Sequence, residues 1–270
     1  MTKTCLETNQ NKHEEFNLQR IQKTQTITLV TLVGLTILIS STFLQDAKSI
    51  ESHEDILPKS RYIIENLKGD SLGTNFYWEM IPGESLYVNI KNDAELPIEK
   101  IHIVKDAILS TEFYEIDDHK LGKAPKGTIS KYYLGWQGAL SDIGQETENP
   151  IPKSFDIRSV GNGAGDIIII LSNMIDGDGV TGITKSTVYE NQILKSEITV
   201  FDASSLTDRE LERVIRHEFG HALGLAHSSA PEDLMYPEVK TPYPYISDCN
   251  IYGIVSLYDG KTNEEVICEK

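Results

Sequence analysis

The chain has 270 residues, 39% hydrophobic and 24% charged, with 19 Gly and 10 Pro. That composition excludes collagen-like and disordered classes and leaves room for one well-packed domain plus an anchor, or at most two small domains. Acidic residues number 41 against 25 basic, a formal net charge of −16, so nucleic acid, which needs a basic footprint, is not expected as a partner.

Residues 1–23 are polar and read as a cytoplasmic tail. Between Lys23 and Asp46 no residue is charged, and residues 27–44 are dominated by Ile, Leu, Val, Thr and Phe. Such a stretch spans the hydrocarbon core as one helix, so residues 24–45 are read as a single transmembrane anchor. Lys3, Lys12, Arg20 and Lys23 precede it, and Lys48, Lys59 and Arg61 follow more sparsely. This bias places the N-terminus in the cytoplasm and everything after the anchor outside the cell membrane. Secretion after signal cleavage is the alternative, but Gln45-Asp46-Ala47 lacks a small residue at its first position. Residues 46–75, polar and carrying Pro58 and Gly69, suit a stalk or short pro-segment. With this topology Cys5 faces a reducing compartment, while Cys249 and Cys268 lie outside, where they can form a disulfide or remain two buried thiols.

Residues 76–270 read as the folded domain. Residues 85–90 alternate like a strand. Residues 97–116 carry Ile101, Val104, Ile108 and Leu109 at helical spacing, with Pro97 suited to the first turn. Residues 155–158 and the apolar run 166–171 read as strands, the second as a buried central one. Asp176-Gly177-Asp178-Gly179 is a turn, and residues 196–201 read as a further strand. Thr207 with Glu210 forms a capping box that starts a helix, Leu211, Val214 and Ile215 continue its apolar stripe, and Gly224 is its natural stop. A last helix runs from Ser247 or Asp248 to Leu257. The expected class is an α/β fold of the α+β sandwich kind.

That capped helix leads into His217-Glu218-Phe219-Gly220-His221-Ala222-Leu223-Gly224-Leu225-Ala226-His227. Residues four apart share a helix face, so His217 and His221 can point at one ion. A turn at Gly224 would return the chain and deliver His227. Three neutral imidazoles leave the fourth position of a tetrahedral zinc open, which is the arrangement of a catalytic rather than a structural site. Glu218 is close enough to reach water there without ligating. Arg209, Glu210, Glu212, Arg213 and Arg216 lead into the motif, and this polarity excludes a site inside a membrane helix.

The spacing His217-Glu-x-x-His221-x-x-Gly224-x-x-His227, with Met235 eight residues later, resembles the metzincin zinc metallopeptidases, whose motif ends in a Met-turn. Ser228 after the third His, Leu234-Met235-Tyr236-Pro237, and the tail Ile246-Ser-Asp-Cys-Asn-Ile-Tyr-Gly-Ile-Val-Ser-Leu-Tyr258 resemble the matrixin branch, the matrix-metalloproteinase-type catalytic domain. The resemblance implies a zincin-like fold with a twisted mixed sheet, an active-site helix and a C-terminal helix. It also implies one catalytic Zn2+ on His217, His221 and His227, a zinc-bound water activated by Glu218, and Met235 packed beneath the metal. The implied activity is endopeptidase action on extracellular or surface proteins and peptides, with substrate extended along an edge strand near residues 180–184. The alternative is a catalytically silent zinc-binding surface or adhesion protein. The specificity-pocket wall is expected at Pro237. Matrixins place a Tyr two residues beyond this Pro, where this chain has Val239, so Tyr243 or Tyr245 would substitute. Asp176-Gly177 is similar to a Ca2+-binding loop of that branch. No Pro-Arg-Cys-Gly latency segment occurs in the sequence.

Overall fold

The computed structural model describes residues 70–121, 124–160, 163–238 and 244–268. The chain divides into two units, Met1–Ile56 and Leu57–Lys270, and all described residues belong to the second. The expected tail, anchor and all but the last six stalk residues lie outside the described residues. Among the described residues no helix is long and apolar enough to cross a membrane.

In chain order the elements are β1 (Asp70–Thr74), β2 (Leu86–Asn92), α1 (Ile98–Leu109), β3 (Phe113–Asp117), β4 (Ile129–Tyr133), α2 (Trp136–Ser141), β5 (Phe155–Arg158), β6 (Ile167–Leu171), β7 (Gly182–Tyr189), β8 (Gln192–Val200), α3 (Asp208–Ala222), β9 (Leu225–Ser228), α4 (Asp248–Tyr258) and β10 (Glu265–Cys268). Five strands form one mixed sheet in the order β5-β2-β6-β8-β7. The first four run parallel and β7 returns antiparallel along β8. The run Ile167-Ile168-Ile169-Ile170-Leu171 takes the centre because a strand apolar on both faces must be covered on both. β7 is solvated along most of its length and forms an edge beside α3.

α1 buries Ile101, Val104, Ala107 and Ile108, the stripe expected from its spacing, and packs against α3. It ends at Leu109, seven residues before the sequence pattern suggested. Ser110 leaves the helix, and Gly135 and Gly138 come up against it: a Cβ on Gly135 would lie 2.5 Å from the Ser110 amide nitrogen. The chain then pairs as the β3–β4 hairpin, in which Phe113 faces Tyr133 and Glu115 faces Lys131. Phe-Tyr-x-Ile suits a half-buried pleated surface better than a helix continuing into solvent.

The third sheet has the order β10-β1-β9. Residues 70–74, assigned from sequence to the stalk, form its central strand. A disulfide joins Cys249 on α4 to Cys268 on β10. It fastens the closing helix to the same sheet that carries His227.

Candidate active site

α3 begins as its sequence dictates. The Thr207 hydroxyl accepts from the Glu210 amide at 3.3 Å, and the Glu210 carboxylate accepts from the Thr207 amide at 2.8 Å. Two otherwise orphaned amides are thereby satisfied at the positive end of the helix. Leu211, Ile215, Phe219 and Ala222 face the core with no exposure. The helix stops where Gly224 adopts φ +106°. Its carbonyl accepts from the Asn75 amide at 2.8 Å, and the chain turns back as β9.

This turn brings together His217 and His221 from α3 and His227 from β9. One ring nitrogen of each lies within 4.8 Å of those of the others. His217 Nδ1 lies 2.7 Å from the Leu234 carbonyl and His221 Nδ1 2.8 Å from the Leu225 carbonyl. A carbonyl only accepts, so both Nδ1 atoms carry the proton, and both Nε2 atoms turn lone pairs inward. Those two Nε2 atoms lie 3.1 Å apart. Two facing lone pairs at that separation need a cation between them, and tetrahedral zinc with Zn–N bonds of about 2.0–2.1 Å requires a separation of about 3.3 Å. The donor set therefore fits zinc. Burial pushes His217 down, pushes His221 to about 3 with help from His217, and pushes His227 down. All three rings are thus held in the neutral, ligating form.

Met235 is fully buried. A Cβ on Gly220 would lie 2.5 Å from its sulfur, so the glycine in the motif admits this methionine against the helix. Asp233, itself buried, accepts from the Met235 amide at 2.8 Å and from Asn250 Nδ2 at 2.9 Å, which ties the turn to the start of α4.

Glu218 is buried and lies beside the three rings. Thr184 on β7 places its hydroxyl 2.7 Å from Glu218 Oε2 and 2.9 Å from the Glu218 carbonyl. Gly182 leaves the space the carboxylate occupies: a Cβ there would meet Glu218 Oε1 at 2.7 Å. Burial raises the Glu218 carboxyl to about 7, with the Thr184 hydrogen bond opposing the rise. Neither Thr184 nor Gly182 was singled out from sequence as a partner of Glu218, because strand and helix meet only in the tertiary fold.

The rings and Glu218 open into a cleft of about 980 Å³ bounded by β7 residues 182–184, by Arg213 and Val214 of α3, and by Pro237 and Glu238. Pro237 thus stands on the cleft wall. Tyr245 does not line the cleft. It packs edge-on against Tyr114, with Arg216 over its ring. Tyr243 lies outside the described residues. Asp176, expected in a Ca2+ loop, accepts from the Asp178 and Val180 amides at 2.9 and 3.2 Å.

Residues 156–259 match the family model of the matrixin peptidases. The chain is 34% identical to human matrix metalloproteinase-20 over 126 residues, 42% of this chain and 26% of that protein. It is 31% identical to human neutrophil collagenase over 140 residues, 44% of this chain and 30% of the relative. Against mouse matrilysin it is 48% identical over 50 residues, 17% of this chain and 19% of the relative. The chain thus spans less than a third of the length of each of these relatives.

Proposed function

With a matrixin-type metzincin catalytic domain as the premise, we propose that the protein is a zinc-dependent endopeptidase. Its substrates are peptide bonds in extracellular or surface proteins. The observation that carries this reading is Glu218, buried and braced by Thr184, beside three inward-facing imidazoles in an open cleft.

His217, His221 and His227 would hold zinc, which would supply a Lewis acid able to polarise a carbonyl oxygen and to acidify water towards a pKa of about 7. Glu218 takes a proton from the attacking water and delivers it to the departing amine nitrogen. Thr184 holds Oε2, and Gly182 leaves room for Oε1. Among the described residues β7 has a strand neighbour on one side only, so its outer amides and carbonyls can pair with an extended peptide. Residues 182–184 of that edge lie in the cleft beside Glu218. The described strand runs over Gly182–Tyr189, so the substrate edge extends beyond the 180–184 segment read from sequence.

The same reading places the domain outside the cell on the N-terminal anchor. The Cys249–Cys268 disulfide supports an oxidising compartment. Incubating residues 46–270 with a peptide library, with and without a chelator, tests the activity. Cleavage that the chelator abolishes and zinc restores is expected. No cleavage by zinc-loaded protein would favour the silent zinc-binding alternative.

A further inference from the structure

Phe76 lines the cleft, yet it lies outside residues 156–259, which match the matrixin model. Its backbone is fixed on both sides. Asn75 donates to the Gly224 carbonyl at 2.8 Å, Tyr77 donates to the Asn191 carbonyl at 3.1 Å, and the Tyr77 carbonyl accepts from the Ile193 amide at 2.7 Å. Trp78 Nε1 donates to the Ala222 carbonyl at 2.8 Å. These bonds tie the segment to the C-terminal end of α3 and to the start of β8, and they hold the partly buried Phe76 side chain at that end of the cleft.

A bulge in β8 completes the same end. Ser186 pairs with Ser196 and Val188 with Ile193, and the register shifts between Thr187 and Val188. Residues two apart on β7 share a face, so Ser196 and Ile193, three apart on β8, share that face only because β8 carries one extra residue. Leu194 is that residue and is 56% exposed, whereas Ile193 is 4% exposed and lines the cleft with Val188. The face that sets Thr184 against Glu218 thus runs from small residues at Gly182, Thr184 and Ser186 to an apolar patch at Val188 and Ile193.

The two ends of the cleft therefore differ. A Cβ on Gly182 would meet Val214 and Glu218, and the Leu234 carbonyl, three residues before Pro237, meets His217. Phe76 adjoins Gly224, beyond His221. We propose that Phe76, Val188 and Ile193 form a subsite for a large apolar side chain of the substrate, on the side of the three rings away from Pro237. Val188 lies four residues beyond Thr184, about 13 Å along a strand that rises roughly 3.3 Å per residue. An extended peptide on the β7 edge places there a residue three or four positions from the scissile bond. The inference rests on the endopeptidase reading of this cleft.

The test uses two series of short peptide hydroxamates, with the chelating group at the amino or at the carboxyl end. Each carries Gly, Ala, Leu, Phe or Glu at the third or fourth residue from that group. Affinity for zinc-loaded protein should rise by about tenfold from Gly to Leu or Phe in one series and stay level in the other. Phe76→Ala should cut this gain to about threefold or less. Val188→Lys, at an exposed edge position where folding is not at risk, should abolish the gain and favour Glu at the same place. Zinc content should stay at the parent value in both variants. Equal affinities throughout both series, or a gain that neither variant reduces, would overturn the proposal. If the parent ranks the hydroxamates in this order but cleaves no peptide, the endopeptidase reading fails and the subsite stands.

Discussion

Replacing Gly224 with Ala tests how the third ligand is delivered. The residue has φ +106°, where an L side chain is strained, and such a residue costs about 1–3 kcal/mol. Its Cβ would also sit 1.9 Å from the Phe76 carbonyl oxygen and 2.7 Å from Leu257 Cδ2. Phe76 cannot easily give way, because Asn75 donates to the Gly224 carbonyl and Tyr77 donates to the Asn191 carbonyl. Overpacking of this kind adds about 1–3 kcal/mol. The expected destabilisation is therefore about 2–6 kcal/mol, a large part of the roughly 5–15 kcal/mol of a typical domain. Any relief by backbone movement shifts β9, and with it His227. Urea unfolding of metal-free and zinc-loaded protein measures both effects: the midpoint should fall, and the extra stability conferred by zinc should shrink. An Ala variant within about 0.5 kcal/mol of the parent, with undiminished stabilisation by zinc, would refute the reasoning.

Glu218→Gln should keep zinc and fold but lose about 10²–10⁴-fold in hydrolysis, since an amide cannot take the proton; steady-state assays within a factor of a few of the parent would remove the general-base role. His227→Ala should sharply lower the zinc content found by elemental analysis, and full occupancy would exclude it as a ligand. Reducing Cys249–Cys268, or replacing both with Ser, opens a closed loop of separation 19 and should lower unfolding stability by about 3 kcal/mol on the chain-entropy model, with an unchanged melting curve as the contrary result. The Tyr133 hydroxyl and the Lys131 ammonium hold the Asp142 carboxyl below its usual range. Its stabilising effect is therefore present above the ordinary carboxylate pKa and is lost as pH falls through the lower, folded value. Asp142→Asn should flatten that part of an acid-unfolding curve, and identical acid limbs would show that the pair carries no weight in folding.

Much of the candidate site could be read in one dimension because its geometry is local. The capping box at Thr207, the i and i+4 spacing of His217 and His221, and the stop at Gly224 each act within a turn or two of helix. The run of β6 was equally legible, since a strand buried on both faces must be apolar throughout. The resemblance of residues 217–237 to the matrixins extended this reading to Met235 and Pro237.

What tertiary structure alone decided lies where two distant segments meet. The helical spacing of residues 97–109 gave no warning that the chain would leave the helix at Ser110, because the cause is Gly135 and Gly138 pressing on it from beyond the hairpin. β1, β9 and β10 are four or five residues each and exist through their pairing with one another. Thr184 and Gly182 acquire meaning only when β7 lies along α3 beside Glu218. Arg216 was read with Arg209, Glu210, Glu212 and Arg213 as part of a polar approach to the motif. The fold buries it, because Leu134, Pro244 and Glu212 together replace the water that a guanidinium would otherwise need. Its adjacency to the Ile215–Phe219 stripe and its position four after Glu212 were the available signals. A charge on the margin of an apolar face is ordinarily solvated, and only the partners that long-range folding supplies make it otherwise.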